Sequence, residues 1–150
     1  MLLGSYRHNV DAKGRVAVPA LLRRSLEPGS VIAKGTERRL VIYPPSEWSV
    51  AEQRHRLTAE SGPQERAFIR QLYASARPVE LDAQGRLLLD QEHRRHAEIG
   101  DRAVFVGIGN VVEVVGETVW DREQSGADAD AFTALNDAVN ARPPVAAPRA

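Results

Sequence analysis

The 150-residue sequence contains no cysteine, which excludes disulfide bonds, thiolate metal sites and cysteine nucleophiles. It also contains no long apolar run, so it predicts no membrane span. Lysine is nearly absent, since Lys13 and Lys34 are the only two among 20 basic residues. An arginine-rich surface suits bidentate contacts to phosphate and guanine, although a compositionally biased genome would give the same count. These absences together predict a soluble, cytoplasmic protein.

The formal net charge is zero, but the charges of opposite sign are concentrated in different halves of the chain. Residues 1–78 carry 13 basic and 7 acidic residues, a net charge of +6. Residues 79–150 carry 7 basic and 13 acidic residues, a net charge of −6. This division indicates either an anionic partner for the first half or neutralisation of one half by the other, within a chain or by head-to-tail packing.

A five-residue motif occurs twice, as Asp11–Arg15 (DAKGR) and, 71 positions later, as Asp82–Arg86 (DAQGR). Other residues match at the same offset, namely Arg23-Arg24 with Arg94-Arg95, Glu27 with Glu98, Gly29 with Gly100 and Val41 with Val112. Several matches at one offset predict a tandem duplication. Because half of this chain is small for an independent domain, we expect the two copies to share one core.

Each copy predicts the same series of elements: a strand, a tight turn, a second short strand, a short helix and a hairpin. In the first copy Pro19 opens the helix, Leu22 and Leu26 share its apolar face, and Gly29 stops it. The second copy predicts strands at 79–81 and 87–89, a helix stopped by Gly100, and a hairpin that turns at 107–110.

A helical linker is predicted between the copies. Ser46 is the expected N-cap of a helix that runs to about Thr58, and Ser61–Pro63 ends it. A second helix then places Phe68, Leu72 and Ala76 on its apolar face. Beyond Trp120 the sequence turns acidic; one weak helix is expected at 129–139, and 142–148 is expected to be disordered.

The duplicated motif has the chemistry of a tight turn. Asp11 and Asp82 can accept backbone N–H bonds, and Gly14 and Gly85 tolerate the left-handed conformation that closes the loop. A structural interpretation of Arg15 is an ion pair with Asp11, which Arg86 can repeat with Asp82. A functional interpretation is that cations around the first turn converge to grip phosphates or read guanine. These cations are Arg7, Lys13, Arg15, Arg23 and Arg24.

One copy serves as a control for the other. At the positions of Arg7, Lys13 and Pro19 the second copy has Pro78, Gln84 and Asp90, so turn-forming residues persist while positive charge is lost. We infer that the first copy faces nucleic acid and that the second copy mainly supplies scaffold.

Signals for an enzyme, a metal or a cofactor are weak. His93 and His96 could share a helix face, but no third ligand stands at a recognisable spacing, and two exposed helix histidines are the favoured interpretation. The glycine-rich stretch at 107–110 lies in a hairpin pattern, whereas a phosphate loop needs a helix after it. The sequence therefore predicts no enzyme, metal or cofactor.

The segment Val10–Pro19, followed by Leu22–Arg24, resembles the swapped-hairpin DNA-binding domain of the SpoVT-AbrB type. Two such units around a helical linker, over residues 4–121, resemble the MraZ family of bacterial regulators, which is associated with the division and cell-wall gene cluster. Asp90 departs from the pattern, because it replaces the strand-ending proline in the second copy.

The resemblance implies a mainly β fold with short helices (α+β), in which two swapped-hairpin units form one pseudo-symmetric, barrel-like core. It implies a basic unit at 1–49, a linker at 50–77, an acidic unit at 78–121 and a C-terminal segment at 122–150. It also implies a nucleoid-associated regulator that binds short G-rich direct repeats of double-stranded DNA in its own promoter as a closed homo-oligomeric ring.

By motif position, the resemblance assigns DNA contact to Arg15, with the other four cations of the first copy in support. The alternative is an oligomeric interaction scaffold in which nucleic-acid binding is incidental. The sequence leaves open whether the protein represses or activates, which operator it prefers, how many subunits close a ring and what 122–150 does.

Overall fold

A computed structural model of the protein describes residues 1–26 and 28–141. The first copy contains β1 (Leu2–Asn9), β2 (Arg15–Ala17), α1 (Ala20–Arg23), β3 (Val31–Lys34) and β4 (Leu40–Tyr43). The linker consists of α2 (Pro45–Arg54) and α3 (Pro63–Ser75). The second copy contains β5 (Arg77–Pro78), β6 (Arg86–Leu88), α4 (Gln91–His96), β7 (Arg102–Gly109) and β8 (Val112–Gly116). Two helices follow, α5 (Glu117–Gln124) and α6 (Ala129–Asn140).

The two copies exchange strands. Six strands form one antiparallel sheet in the order β1-β7-β8-β4-β3-β5, so the opening strand of each copy pairs with the hairpin of the other. The hairpins meet through β4 and β8 at the centre, and β2 pairs with β6 in a separate two-stranded sheet. This confirms the predicted fold, a mainly antiparallel sheet with short helices in which two swapped-hairpin units interleave.

Strand exchange produces one core from two copies. Phe105 of β7 lies opposite Tyr6 of β1 and Val114 of β8, and Ile32 lies at the corresponding position of β3, opposite Ile42. Burial of each large apolar side chain of this kind contributes about 1.5–3 kcal/mol to the free energy of folding. The core includes Val16, Leu22, Leu26, Ile32, Leu40 and Ile42 from the first copy and Leu87, Leu89, Phe105, Val112 and Val114 from the second. Neither copy therefore has a complete core without the other.

The sheet register corrects one of the matches made at an offset of 71. Val41 lies opposite Glu113, and both are half-buried, whereas Leu40 and Val112 are buried. The hairpins therefore correspond with Leu40 equivalent to Val112, 72 positions apart. The matched Glu27 lies outside the described residues.

The linker helices differ from the prediction at their ends and on their faces. Helix α2 starts at Pro45 with Pro44 as N-cap, so Ser46 is not the cap, and the helix ends at Arg54. Proline suits the first helical position, here Pro45, because the N–H of that position has no partner within the helix. In α3 the buried residues are Ile69, Leu72 and Ser75, while Phe68 is 47% exposed and its ring lies 5.1 Å from that of His55. Leu72 is therefore buried as predicted, whereas Ile69 takes the buried position expected of Phe68, and Ala76 lies just beyond the helix as its C-cap.

Four details of the repeat were also predicted wrongly. The left-handed residue after α4 is Glu98, at φ 51°, and not Gly100. Helix α1 ends at Arg23, well before Gly29. Strand β7 extends to Gly109, so its hairpin turns later than expected. Strand β5 covers only Arg77–Pro78 instead of 79–81.

Residues Met1–Trp120 form one compact unit, and a second unit begins at Asp121. Helix α6 confirms the helix predicted after Trp120, and its Phe132, Leu135 and Val139 are exposed. Helix α5 was not predicted. The expectation of disorder at 142–148 concerns residues outside the described part of the chain.

Candidate nucleic-acid interface

The first motif folds into a turn that its own aspartate organises. Asp11 Oδ1 accepts hydrogen bonds from the backbone N–H groups of Lys13 and Arg15, each at 2.9 Å. Asp11 Oδ2 accepts from Arg15 Nε at 2.7 Å. The Gly14 N–H donates to the Asp11 carbonyl at 2.9 Å, and Gly14 has φ 87°. One carboxylate thus fixes both the turn and the guanidinium that follows it.

The second motif repeats this arrangement bond for bond. Asp82 Oδ1 accepts from the backbone N–H groups of Gln84 and Arg86 at 2.9 Å, and its Oδ2 accepts from Arg86 Nε at 2.8 Å. Gly85 closes the turn at φ 75°. The geometry of the turn is therefore a property of the Asp-x-x-Gly-Arg spacing and does not depend on Lys13, which Gln84 replaces.

These bonds lower the pKa of both aspartates. For Asp11 the largest cause is the backbone N–H of Arg15, and for Asp82 it is the backbone N–H of Arg86. Hydrogen bonds to a charged carboxylate favour the charged form. A lowered folded-state pKa contributes stability that is present above the ordinary value of 3.8 and is lost as the pH falls through the folded-state pKa.

We therefore expect the turns to open only under strongly acidic conditions. A carboxyl ¹³C NMR titration should place Asp11 and Asp82 below 3.8, and a linear peptide spanning residues 9–17 should titrate near that ordinary value. The peptide is the control because it lacks the folded turn. Equal midpoints for Asp11 in the protein and in the peptide would contradict this explanation.

The two turns lie at opposite ends of one short ladder, because the strands that follow them pair antiparallel. In the β2–β6 sheet Arg15 lies opposite Leu88 and Arg86 lies opposite Ala17. Arg86 Nη1 also comes within 3.7 Å of Asp11 Oδ2. The first carboxylate is thus close to both arginines of the duplicated motif.

Each turn is also covered by a helix arginine from the other copy. Leu89 N–H donates to the Gly14 carbonyl at 2.8 Å, and Arg94 Nε donates to the Leu89 carbonyl at 3.1 Å. A Cβ added to Gly14 would lie 3.0 Å from Arg94 Nε, and one added to Gly85 would overlap the Arg23 guanidinium. Each copy therefore provides a helix arginine that packs on the turn of the other copy.

The five predicted cations do not form a single cluster. Lys13 and Arg15 lie on the first turn, Arg23 packs on the second turn, and Arg24 is exposed at the end of α1. Arg7 is elsewhere: its guanidinium pairs with Glu117 at 3.3 Å. The neighbouring His8 points the opposite way, toward the Ala17 carbonyl, because successive side chains of a strand alternate between faces.

Much of the charge difference between the halves is neutralised within the chain. Cations of residues 1–78 pair with carboxylates of residues 79–150 in Arg7–Glu117, Lys34–Glu92, Arg38–Glu98, Arg39–Glu113 and Arg77–Asp90. Within the described residues, Lys13, Arg23 and Arg24 form no ion pair with a carboxylate. The positive charge that remains around the turns is therefore available to an external anion.

The histidines have structural partners. His93 is 1% exposed, and its Nε2–H donates to the Ser75 carbonyl at 2.7 Å. His96 Nε2 donates to the Gly35 carbonyl at 2.9 Å. The expectation that both are exposed was wrong, because α4 packs this face against β3 and the end of α3. No group of three or more His, Cys, Asp or Glu residues in the described part of the chain could hold a metal ion.

A family model described as "MraZ protein, putative antitoxin-like" matches the chain twice, over residues 1–71 and 72–141. The chain belongs to the MraZ family. The second match begins 71 residues after the first, at the same offset as the two motifs, which supports the duplication. Membership in MraZ places the chain among transcriptional regulators.

Several MraZ relatives match most of the chain. The protein named transcriptional regulator MraZ from Desulfitobacterium hafniense (strain Y51) is 38% identical over 135 residues, covering 89% of this chain and 94% of the relative. Its namesake from Carboxydothermus hydrogenoformans is 36% identical over 129 residues, covering 86% and 90%. That from Pediococcus pentosaceus is 33% identical over 121 residues, covering 81% and 85%.

No helix in the described ranges is both long and apolar enough to cross a membrane.

One residue that contacts the first turn was not predicted from the sequence. Arg94 was not among the residues predicted for the MraZ interface, although its match with Arg23 at the 71-residue offset was visible in the sequence. The missing information was the strand exchange, which brings each helix arginine to the turn of the other copy.

Proposed function

We propose that the protein is a sequence-specific DNA-binding transcription regulator, and that its first turn makes the principal DNA contact. It binds short G-rich direct repeats of double-stranded DNA in its own promoter, at the nucleoid, and regulates the division and cell-wall gene cluster. MraZ membership supports the regulatory role. The proposal for the contact residues depends on the geometry of the turn.

The observation that carries the proposal is the fixed guanidinium of Arg15. Its Nε donates to Asp11, and no other hydrogen bond of this side chain is formed within the described residues. Four of the five guanidinium N–H groups therefore remain for a ligand. A guanidinium held in one orientation suits bidentate contact to O6 and N7 of guanine in the major groove, and it loses little side-chain entropy on binding.

Neighbouring cations complete the surface. Lys13, Arg23 and Arg24 are all exposed; Lys13 lies in the first turn and Arg23 covers the second, and we assign all three to phosphate contacts. Arg7 lies on the other face of β1 beside Glu117, and we assign it no base contact.

Oligomerisation follows from the small number of contacts per chain. One turn surface with three or four cations gives weak affinity at cellular salt. Several subunits on spaced repeats multiply that affinity through effective concentration, which a closed ring achieves without exposed ends. Because many opposite charges pair within the chain, we expect a ring to depend only partly on electrostatic attraction between subunits.

A mobility-shift assay at about 150 mM salt, near physiological ionic strength, tests this proposal. We expect DNA with three direct repeats to bind more tightly than DNA with one, and both to bind more tightly than a scrambled fragment of equal composition. An oligomeric scaffold, the alternative function suggested by the division of charge, would bind all three fragments equally. Equal binding would therefore contradict the proposal.

A further inference from the structure

Arg94 is a helix cation of the second copy that packs on the Gly14 peptide of the first turn. Its Nε donates to the Leu89 carbonyl at 3.1 Å, and the Leu89 N–H donates to the Gly14 carbonyl at 2.8 Å. Gly14 itself is buried, and a side chain there would meet the Leu89 carbonyl oxygen at 2.5 Å. Arg94 and Leu89 thus form the surface against which the peptide of Gly14 rests.

This surface is connected to Arg15 by the chain itself. Gly14 immediately precedes Arg15, and its conformation at φ 87° sets the direction in which the Arg15 backbone N–H reaches Asp11. If the Gly14 peptide rotates, the Asp11 carboxylate loses bonds that orient the Arg15 guanidinium. A change at Arg94 is therefore transmitted to Arg15 without Arg94 touching the ligand.

The reciprocal contact provides an internal control. Arg23 packs on Gly85 as Arg94 packs on Gly14, and the Val18 N–H donates to the Gly85 carbonyl at 3.1 Å as the Leu89 N–H donates to that of Gly14. The helix arginine of each copy therefore serves the turn of the other. Arg23 and Arg94 are equivalent in structure but act on different turns.

We propose that Arg94 is a positioning residue for the DNA contact of Arg15, and that Arg23 supports the second turn instead of the first. The proposal rests on the proposed function of Arg15. It assigns a role in DNA binding to an arginine of the acidic copy, through a hydrogen bond and packing and not through its charge.

Three substitutions at Arg94 separate positioning from direct phosphate contact. Glutamine places its amide nitrogen where arginine has Nε, so Arg94→Gln can keep the bond to Leu89 while losing the charge. Lysine keeps the charge but loses the planar contact with Gly14. We expect Arg94→Ala and Arg94→Lys to weaken binding of repeat-containing DNA about fivefold, and Arg94→Gln to stay within about twofold of the wild type.

The salt dependence of binding provides a second measurement. A residue that contacts phosphate contributes about one unit to the slope of log affinity against log salt. We expect the slope of all three Arg94 variants to equal that of the wild type. Binding that is retained by lysine and lost with glutamine, or a slope that falls by about one, would assign a phosphate contact to Arg94 and overturn the proposal.

A double-mutant cycle tests the connection to Arg15. With Arg15→Ala already in place, Arg94→Ala should weaken binding no further, because the side chain that it positions is gone. Arg23→Ala should weaken binding by the same factor with and without Arg15. Full additivity of Arg94→Ala and Arg15→Ala would overturn the proposal.

The free protein gives a measurement that does not depend on DNA. In ¹H–¹⁵N NMR spectra the Gly14 amide resonance should move in Arg94→Ala and remain in place in Arg94→Gln, and the Gly85 resonance should move in Arg23→Ala. If these shifts occur but the wild type binds no repeat DNA, the proposed function fails while the positioning contact stands. If the Gly14 resonance stays in place in Arg94→Ala, the positioning contact itself is wrong.

Discussion

Replacement of Arg15 by alanine is expected to weaken binding of repeat-containing promoter DNA about 30-fold per turn, as for one lost bidentate base contact. The loss compounds across subunits that bind the same DNA, so little binding should remain at cellular salt. The fold should persist, because the Arg15–Asp11 pair is partly exposed and solvent screens such pairs, so they contribute little to stability. Fluorescence anisotropy gives the affinity, and thermal unfolding gives the stability.

Arg86→Ala is the matched control for this prediction. Arg86 and Arg15 make the same bonds to their own aspartates and have similar side-chain exposure, 30% and 36%. Arg86 also approaches Asp11 at 3.7 Å, but a partly exposed contact of that length adds little, so both substitutions should have a similar small effect on stability. We expect Arg86→Ala to retain most of the affinity, because Gln84 in place of Lys13 leaves the second turn with less charge. Equal loss of binding from the two variants would overturn the division of roles between the copies.

Gly14→Ala is expected to lower the free energy of unfolding by about 2–4 kcal/mol and to abolish DNA binding. Gly14 lies at φ 87°, where an L side chain is strained, and an added Cβ would lie 2.5 Å from the Leu89 carbonyl oxygen. Leu89 directly follows β6, and its carbonyl oxygen is part of the paired backbone, so the turn must shift. The shift also displaces the N–H groups that hold Asp11 and Arg15 together.

Gly109→Ala separates the two causes of that effect. Gly109 has a similar φ of 99°, but an added Cβ there would meet no atom within 4 Å. Only backbone strain remains, and it should cost about 1–2 kcal/mol. Chemical denaturation of both variants measures the difference. If Gly14→Ala and Gly109→Ala destabilise the protein equally, packing of Leu89 and Arg94 on the first turn contributes nothing.

The turns could be predicted from the sequence because all of their bonds are local. The aspartate, glycine and arginine of each motif lie within five residues, and the donors, the acceptor and the left-handed position follow from that spacing. Strand periodicity similarly predicted the hairpin β3–β4, and the burial of Leu22 and Leu26 followed from their spacing.

The exchange of strands is a long-range property that periodicity does not reveal. An alternating strand such as β1 shows which of its faces is buried but not whether its partner is β3 or β7. The same limit explains the error at His93, because its environment is made by Ser75 of the linker, 18 residues away. The swapped-hairpin resemblance gave the exchange in outline, and the register then identified Leu40 and Val112 as equivalent.

The division of charge allowed two interpretations in the sequence, and the structure supports a part of each. Ion pairs such as Lys34–Glu92 and Arg39–Glu113 neutralise charge between the halves. Lys13, Arg23 and Arg24 form no ion pair with a carboxylate within the described residues; Lys13 lies in the first turn and Arg23 packs on the second. The net charge of the first half thus predicted an anionic partner, and the pairing pattern identifies the cations that we propose it contacts.

Nuclease footprinting of the DNA upstream of the protein's own gene tests the central claim most directly. We expect the wild-type protein to protect a series of short G-rich direct repeats at even spacing, and Arg15→Ala to protect none of them at the same concentration. The Arg86→Ala variant should give the wild-type pattern. Absence of any protected repeat with the wild type, or an unchanged pattern with Arg15→Ala, would contradict DNA recognition by the first turn.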